Sequence, residues 1–96
     1  MYIEKVKLKF LDTILQSEQM NYLSEISNAL EQVSILNTKE ASFSIDINSN
    51  RIVKIVIWNP SIRNVFWTYI AKGYSKQLFE VITPKDFDKF YTQYNP

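Results

Sequence analysis

The chain has 96 residues, 46% of them hydrophobic and 22% charged, with a formal net charge of +1. That suits one globular domain, residues 1–96, with a single core, and excludes a disordered segment or a two-domain enzyme. Histidine and cysteine are absent and glycine occurs once, which removes the usual general base, thiolate nucleophiles, disulfides, zinc–thiolate centres and glycine-rich phosphate loops.

No stretch approaches the roughly 20 apolar residues that cross a bilayer, and Met1 to Leu15 is broken by Glu4, Lys5, Lys7, Lys9 and Asp12. The expectation is therefore a cytoplasmic protein. Charge is unevenly placed along the chain. Residues 12–46 carry Asp12, Glu18, Glu25, Glu31, Glu40 and Asp46 against Lys39, whereas residues 47–76 carry Arg51, Lys54, Arg63, Lys72 and Lys76 with no acid.

The first third reads as helical. Ile3, Val6, Phe10 and Ile14 recur every three or four residues, and Tyr22, Ile26, Ala29 or Leu30, and Val33 continue the period. Ser17 suits an N-cap, so one bent helix and two successive helices both fit. Ala41 to Ile47 then alternates strictly, with Ala41, Phe43, Ile45 and Ile47 facing one way. Asn48-Ser49-Asn50 makes a turn. Arg51 to Trp58 forms the second strand, with Val53, Ile55 and Ile57 inward and Ile52, Lys54, Val56 and Trp58 on the other face.

Asn59-Pro60-Ser61 reads as another turn, and Arg63 to Ile70 as a third strand, with either Val65, Trp67 and Tyr69 or Phe66 and Ile70 inward. Gly73 suits a turn that needs positive φ. Lys76 to Ile82 follows as a fourth strand. Thr83 as N-cap, Pro84 at the first helical position and Asp86 three residues on signal a short C-terminal helix. It carries an aromatic stripe of Phe87, Phe90, Tyr91 and Tyr94. The expected architecture is α+β: an N-terminal helical segment, a four-stranded antiparallel meander sheet and a short C-terminal helix. Helices should cover one sheet face and leave the other partly open.

Nothing in this pattern builds a catalytic constellation, a metal site or a cofactor site, so a non-enzymatic protein without cofactor is expected. Asp86 and Asp88, two apart on a helix, do not face each other. Trp58, Phe66, Trp67, Tyr69 and Tyr74, with Lys54, Arg63 and Lys72, are the candidates for stacking on single-stranded nucleic acid, but they do not interleave as a binding motif. Protein binding fits better. Trp58 on an open sheet face amid charges has the composition of an interface anchor. The acids at 18, 25 and 31, spaced by seven and six, offer a second surface suited to a basic partner. The candidate partner-binding residues are Trp58, Asp46, Lys54 and Glu31.

From Ala41, the alternating strand, the polar turn, the strand Arg51-Ile52-Val53-Lys54-Ile55-Val56-Ile57-Trp58 and the capped terminal helix resemble the small immunity proteins encoded beside bacterial polymorphic toxins. Asn59-Pro60-Ser61-Ile62 stands where such proteins usually carry a Ser-Gly or acidic-Gly turn. The resemblance implies a cytoplasmic protein that binds a cognate toxin domain stoichiometrically and blocks its active site or assembly. The alternatives are an inhibitor encoded by a phage or mobile element and directed at a host or defence protein, and a small homodimeric subunit.

Overall fold

The computed structural model describes residues 2–37, 42–48 and 50–94. Its first element is a strand, β1 (Glu4–Phe10), where the three-to-four spacing predicts a helix. Lys5-Val6-Lys7-Leu8-Lys9-Phe10 also alternates with period two. Val6, Leu8 and Phe10 are buried while the three lysines are exposed. A helix would have spread those lysines around its circumference and broken the apolar row.

One helix follows, α1 (Gln16–Asn37). It keeps the predicted stripe: Tyr22, Ile26 and Leu30 are buried, joined by Leu23. Ser17 lies inside the first turn rather than at the cap. Next come β2 (Phe43–Ile47) and β3 (Ile52–Ile57), antiparallel, with Val53, Ile55 and Ile57 buried as the alternation requires. Ala41 and Ser49, included in the sequence reading of this hairpin, lie outside the described residues. Asn50 and Arg51 hold the hairpin with φ of 60° and 67°.

The expected third strand is a helix, α2 (Arg63–Ser75), led in by a 3-10 turn over Pro60–Ile62. Asn59 caps that turn by accepting from the Ser61 amide at 2.9 Å, and Pro60 occupies the first helical position. Ile62, Phe66 and Ile70, four apart, form the fully buried row, with Trp67 and Ala71 beside it. Aromatic and β-branched content favours a strand locally, but burial of this four-residue row decides the outcome. The helix ends in a Schellman closure: Leu78 N–H donates to Gly73 O at 3.1 Å and Gln77 N–H to Tyr74 O at 3.1 Å, with Gln77 at φ 60°. The left-handed residue is thus Gln77, not Gly73. Gly73 sits within α2 because a Cβ there would come 2.4 Å from the Phe79 ring and 2.9 Å from Tyr22.

The Schellman closure delays β4 to Phe79–Thr83. The predicted C-terminal helix is absent. Thr83 ends the strand, the Thr83–Pro84 peptide is cis, and two 3-10 turns follow at Phe87–Lys89 and Tyr91–Gln93. Asp, Phe, Tyr and Thr are weak helix formers, and a segment this short does not repay helix nucleation. The aromatic stripe survives in another form. Phe87 stacks at 5.9 Å on Trp67, Tyr91 packs at 4.9 Å on Tyr74, and Tyr94 lies 6.3 Å from Trp67.

The sheet is four-stranded and antiparallel, but its order is β2-β3-β1-β4 rather than a meander. The N-terminal strand takes the centre, paired with β3 on one side and β4 on the other. This β-α-β-β-α-β order is the split β-α-β, or ferredoxin-like, connectivity, which hosts many functions and assigns none. Side chains of both helices join Val6, Leu8, Phe10, Val53, Ile55, Ile57 and Phe79 in one core on one face of the sheet. Among the described residues, nothing covers the other face.

Candidate functional site

The uncovered face is built by the alternate residues of the same strands. The register sets Lys5 opposite Val56, Lys7 opposite Lys54 and Lys9 opposite Ile52. On the outer strands Ser44 faces Val56, Asp46 faces Lys54, Glu80 faces Lys9 and Thr83 faces Lys7. The central band is therefore cationic, Lys5, Lys7, Lys9 and Lys54, flanked by Asp46 and Glu80 on the edge strands. Among the described residues the ion pairs are Arg51–Asp12 and Arg63–Glu4, so none of these four amines is paired. Beyond the Glu4–Ile57 pair come Ile3 and Trp58, 53% and 41% exposed. They give this face an apolar end. Lys5, Lys7, Lys54, Thr83 and Asn48 border an open depression of about 610 Å³.

Of the residues singled out by sequence, Trp58, Lys54 and Asp46 fall on this one face. Trp58 follows the inward Ile57, and its amide donates to Ser42 O at 2.9 Å. Glu31 does not join them. It is exposed on α1, across the sheet from that face. Glu18 and Glu25 are exposed on the same helix, but six residues at 100° apiece turn Glu31 roughly 120° away from Glu25. The acids thus do not form one strip. Glu40 lies outside the described residues.

Lys5, Lys7 and Lys9 are the site residues the sequence reading missed. The signal was present: a cation at every second position, interleaved with Val6, Leu8 and Phe10. Taking a helical period there scattered them.

Several other cations and aromatics of the sequence reading have structural occupations. The Arg51 guanidinium donates to Leu11 O at 2.8 Å and Ile14 O at 2.5 Å, tying the β1–α1 connection to the hairpin. Phe66 and Trp67 are buried, and Tyr69 and Tyr74 pack against the core. Only Trp58 of the proposed stacking set lies on the open face.

A second polar cluster closes one end of the core. Glu4 continues the inward row of β1, and its carboxylate accepts from the Tyr2 hydroxyl at 2.5 Å and Trp67 Nε1 at 3.1 Å. Arg63 Nε stands 2.9 Å from Glu4 Oε2, and its guanidinium donates to the Tyr94 hydroxyl at 2.8 Å. Burial pushes the Glu4 carboxyl up, but the hydrogen bonds from Tyr2, Trp67 and Arg63 outweigh it and hold the group below the usual range. Burial first, then the neighbouring carboxylate, pushes the Tyr2 phenol up to about 12. Every member of this cluster is satisfied by another, the mark of a structural network.

Among the described residues no three carboxylates converge on a point that could hold a metal ion, and no helix is long and apolar enough to cross a membrane. The arrangement offers a charged surface with an exposed aromatic side chain, Trp58. Comparison with protein families, curated proteins and solved structures found no match in any of the three.

Proposed function

We propose that this chain works as a stoichiometric protein binder of the immunity type, neutralising a cognate toxin domain by occluding its working surface. One observation carries the reading. Both helices lie on one side of the sheet, and the uncovered side presents Trp58, 41% exposed, together with Lys54 and Asp46. An amphipathic aromatic group at the edge of a rigid, charged sheet is how binding energy is usually concentrated in an interface. Self-association through this face is the weaker reading, because a second copy would bring four lysines against four lysines. The phage- or mobile-element-encoded inhibitor uses the same face and differs only in the partner.

The test is to express the C-terminal domain of the product of the open reading frame just upstream, which should arrest growth by itself, and then to co-express it with this chain. Restored growth and a 1:1 complex by light scattering are expected. Trp58→Ala should weaken that complex about tenfold or more while Tm moves by no more than about 2–4 °C. Failure to restore growth, or a Trp58→Ala protein that binds as tightly as the parent, overturns the proposal.

A further inference from the structure

We infer that the open sheet face receives an acidic stretch of the protein partner, with Lys5, Lys7, Lys9 and Lys54 as the contacting cations. This rests on the protein-binding reading above and adds the chemistry of the partner. It reverses the expectation from the acids of α1, which would select a basic surface.

The register supplies the argument. Lys7 and Lys54 are direct cross-strand neighbours on the two central strands. Like charges so placed weaken a sheet. Lys5 and Lys9 stand two residues to either side of Lys7 on the same face, which extends the repulsion along β1. A fold under no other demand would fill these central positions with β-branched or uncharged polar residues. The arrangement becomes favourable once an anionic surface is laid over it, where the same repulsion turns into attraction and speeds encounter. Asp46 and Glu80, directly opposite Lys54 and Lys9 on the outer strands, offset part of that repulsion, while Lys5 and Lys7 face no acid and stand open to an incoming one. The depression of about 610 Å³ between Lys5, Lys7, Lys54 and Thr83 gives that segment a seat.

A polynucleotide is the other anion to weigh. Recognition of a single strand on a sheet relies on several aromatic platforms for the bases. Here Phe66, Trp67, Tyr69 and Tyr74 are spent on the core, which leaves Trp58 alone on this face. A mixed face of four amines, two carboxylates and an apolar end matches an acidic protein surface better than a uniform phosphate backbone.

The probe is a labelled oligoglutamate peptide titrated against the full chain. Its affinity should fall about tenfold or more between about 20 mM and 200 mM salt, as screening predicts. The Lys7→Glu/Lys54→Glu variant should lose a further tenfold. A variant of equal net charge, Lys76→Glu/Lys89→Glu, should stay within about twofold of the parent. Where the first variant fails to fold, Lys5→Gln/Lys9→Gln reads the same contacts. Three outcomes overturn the inference: no peptide binding at low salt, equal losses for the two charge-matched variants, or tighter binding of single-stranded oligothymidine than of the peptide. No toxin is present in this assay, so its failure leaves the growth result standing, and failed rescue leaves the charge assignment standing.

Discussion

The two faces of the sheet are made by the same strands and differ in every physical respect. On β1, Val6, Leu8 and Phe10 are at most 1% exposed, while their immediate neighbours Lys5, Lys7 and Lys9 project into solvent. The covered face is under the constraint of close packing, where each methylene counts. The open face is free of that constraint, yet it is not filled with the residues that would stabilise it most. That contrast separates the part of the sequence that secures the fold from the part available for a partner.

Adjacent substitutions on β1 sharpen the contrast. Leu8, fully buried, should lose about 2–5 kcal/mol of stability on replacement by alanine, from lost transfer energy plus the cavity left behind. One residue away, Lys7→Thr should change stability by no more than about 0.5 kcal/mol, with a tendency to raise it as the repulsion from Lys54 disappears. Urea denaturation of both variants measures the gap. Similar losses at the two positions would erase the distinction between the faces.

Gly73 probes the helical side of the covered face. Alanine is the better helix former by about 1 kcal/mol, so at an ordinary helical position Gly73→Ala would stabilise. Here the new methyl meets Phe79 Cε2 at 2.4 Å and Phe79 Cζ at 2.5 Å. Phe79 is 2% exposed and already fixed edge-on against Phe10 at 5.5 Å. The ring has no room to yield, and a net loss of about 1–3 kcal/mol is expected from overpacking. A rise in Tm would show that the α2–β4 contact is looser than the packing of these rings implies.

The hairpin of β2 and β3 was legible in the sequence because a strictly alternating run and a run rich in β-branched residues flank an asparagine turn, which outweighs the spacing of four between Val53 and Ile57. The α+β class and an antiparallel sheet followed from it, but the count of four strands agrees only because the strand misread at Arg63 to Ile70, which is a helix, offsets the missed β1. At both misread segments two periods compete. Val6 and Phe10 satisfy a spacing of four as well as of two, and the lysines between them are the evidence for two. Phe66 and Ile70 are four apart inside a run rich in β-branched and aromatic residues, and the Asn59-Pro60 helix start is the evidence for four. Strand order was hidden for a different reason. Placing β1 between β3 and β4 depends on which buried rows cover one another, which no local pattern encodes. The candidate site was accordingly half visible. Trp58, Lys54 and Asp46 belong to the legible hairpin, whereas Lys5, Lys7 and Lys9 became neighbours of Lys54 only through the strand order.

The boundary between the two regimes lies at Glu4, and its titration gives the smallest of the expected effects. Glu4 occupies an inward position on β1, but its side chain is 24% exposed at the rim of the core. Its carboxyl is held below the usual range, burial being outweighed by hydrogen bonds from Tyr2, Trp67 and Arg63. A carboxyl whose folded pKa is depressed contributes stability above its unfolded pKa, about 4.3, and loses it as pH falls through the folded value. Glu4→Gln keeps the shape and removes the charge. Its Tm should lie below that of the parent at neutral pH; the difference should start to close as pH falls past the unfolded value, about 4.3, and be gone once pH is below the depressed folded value. Other carboxylates titrate in both proteins and cancel in the difference. A gap that persists unchanged into acid would mean that Glu4 acts through shape alone, and that the charged regime of the open face stops short of the rim.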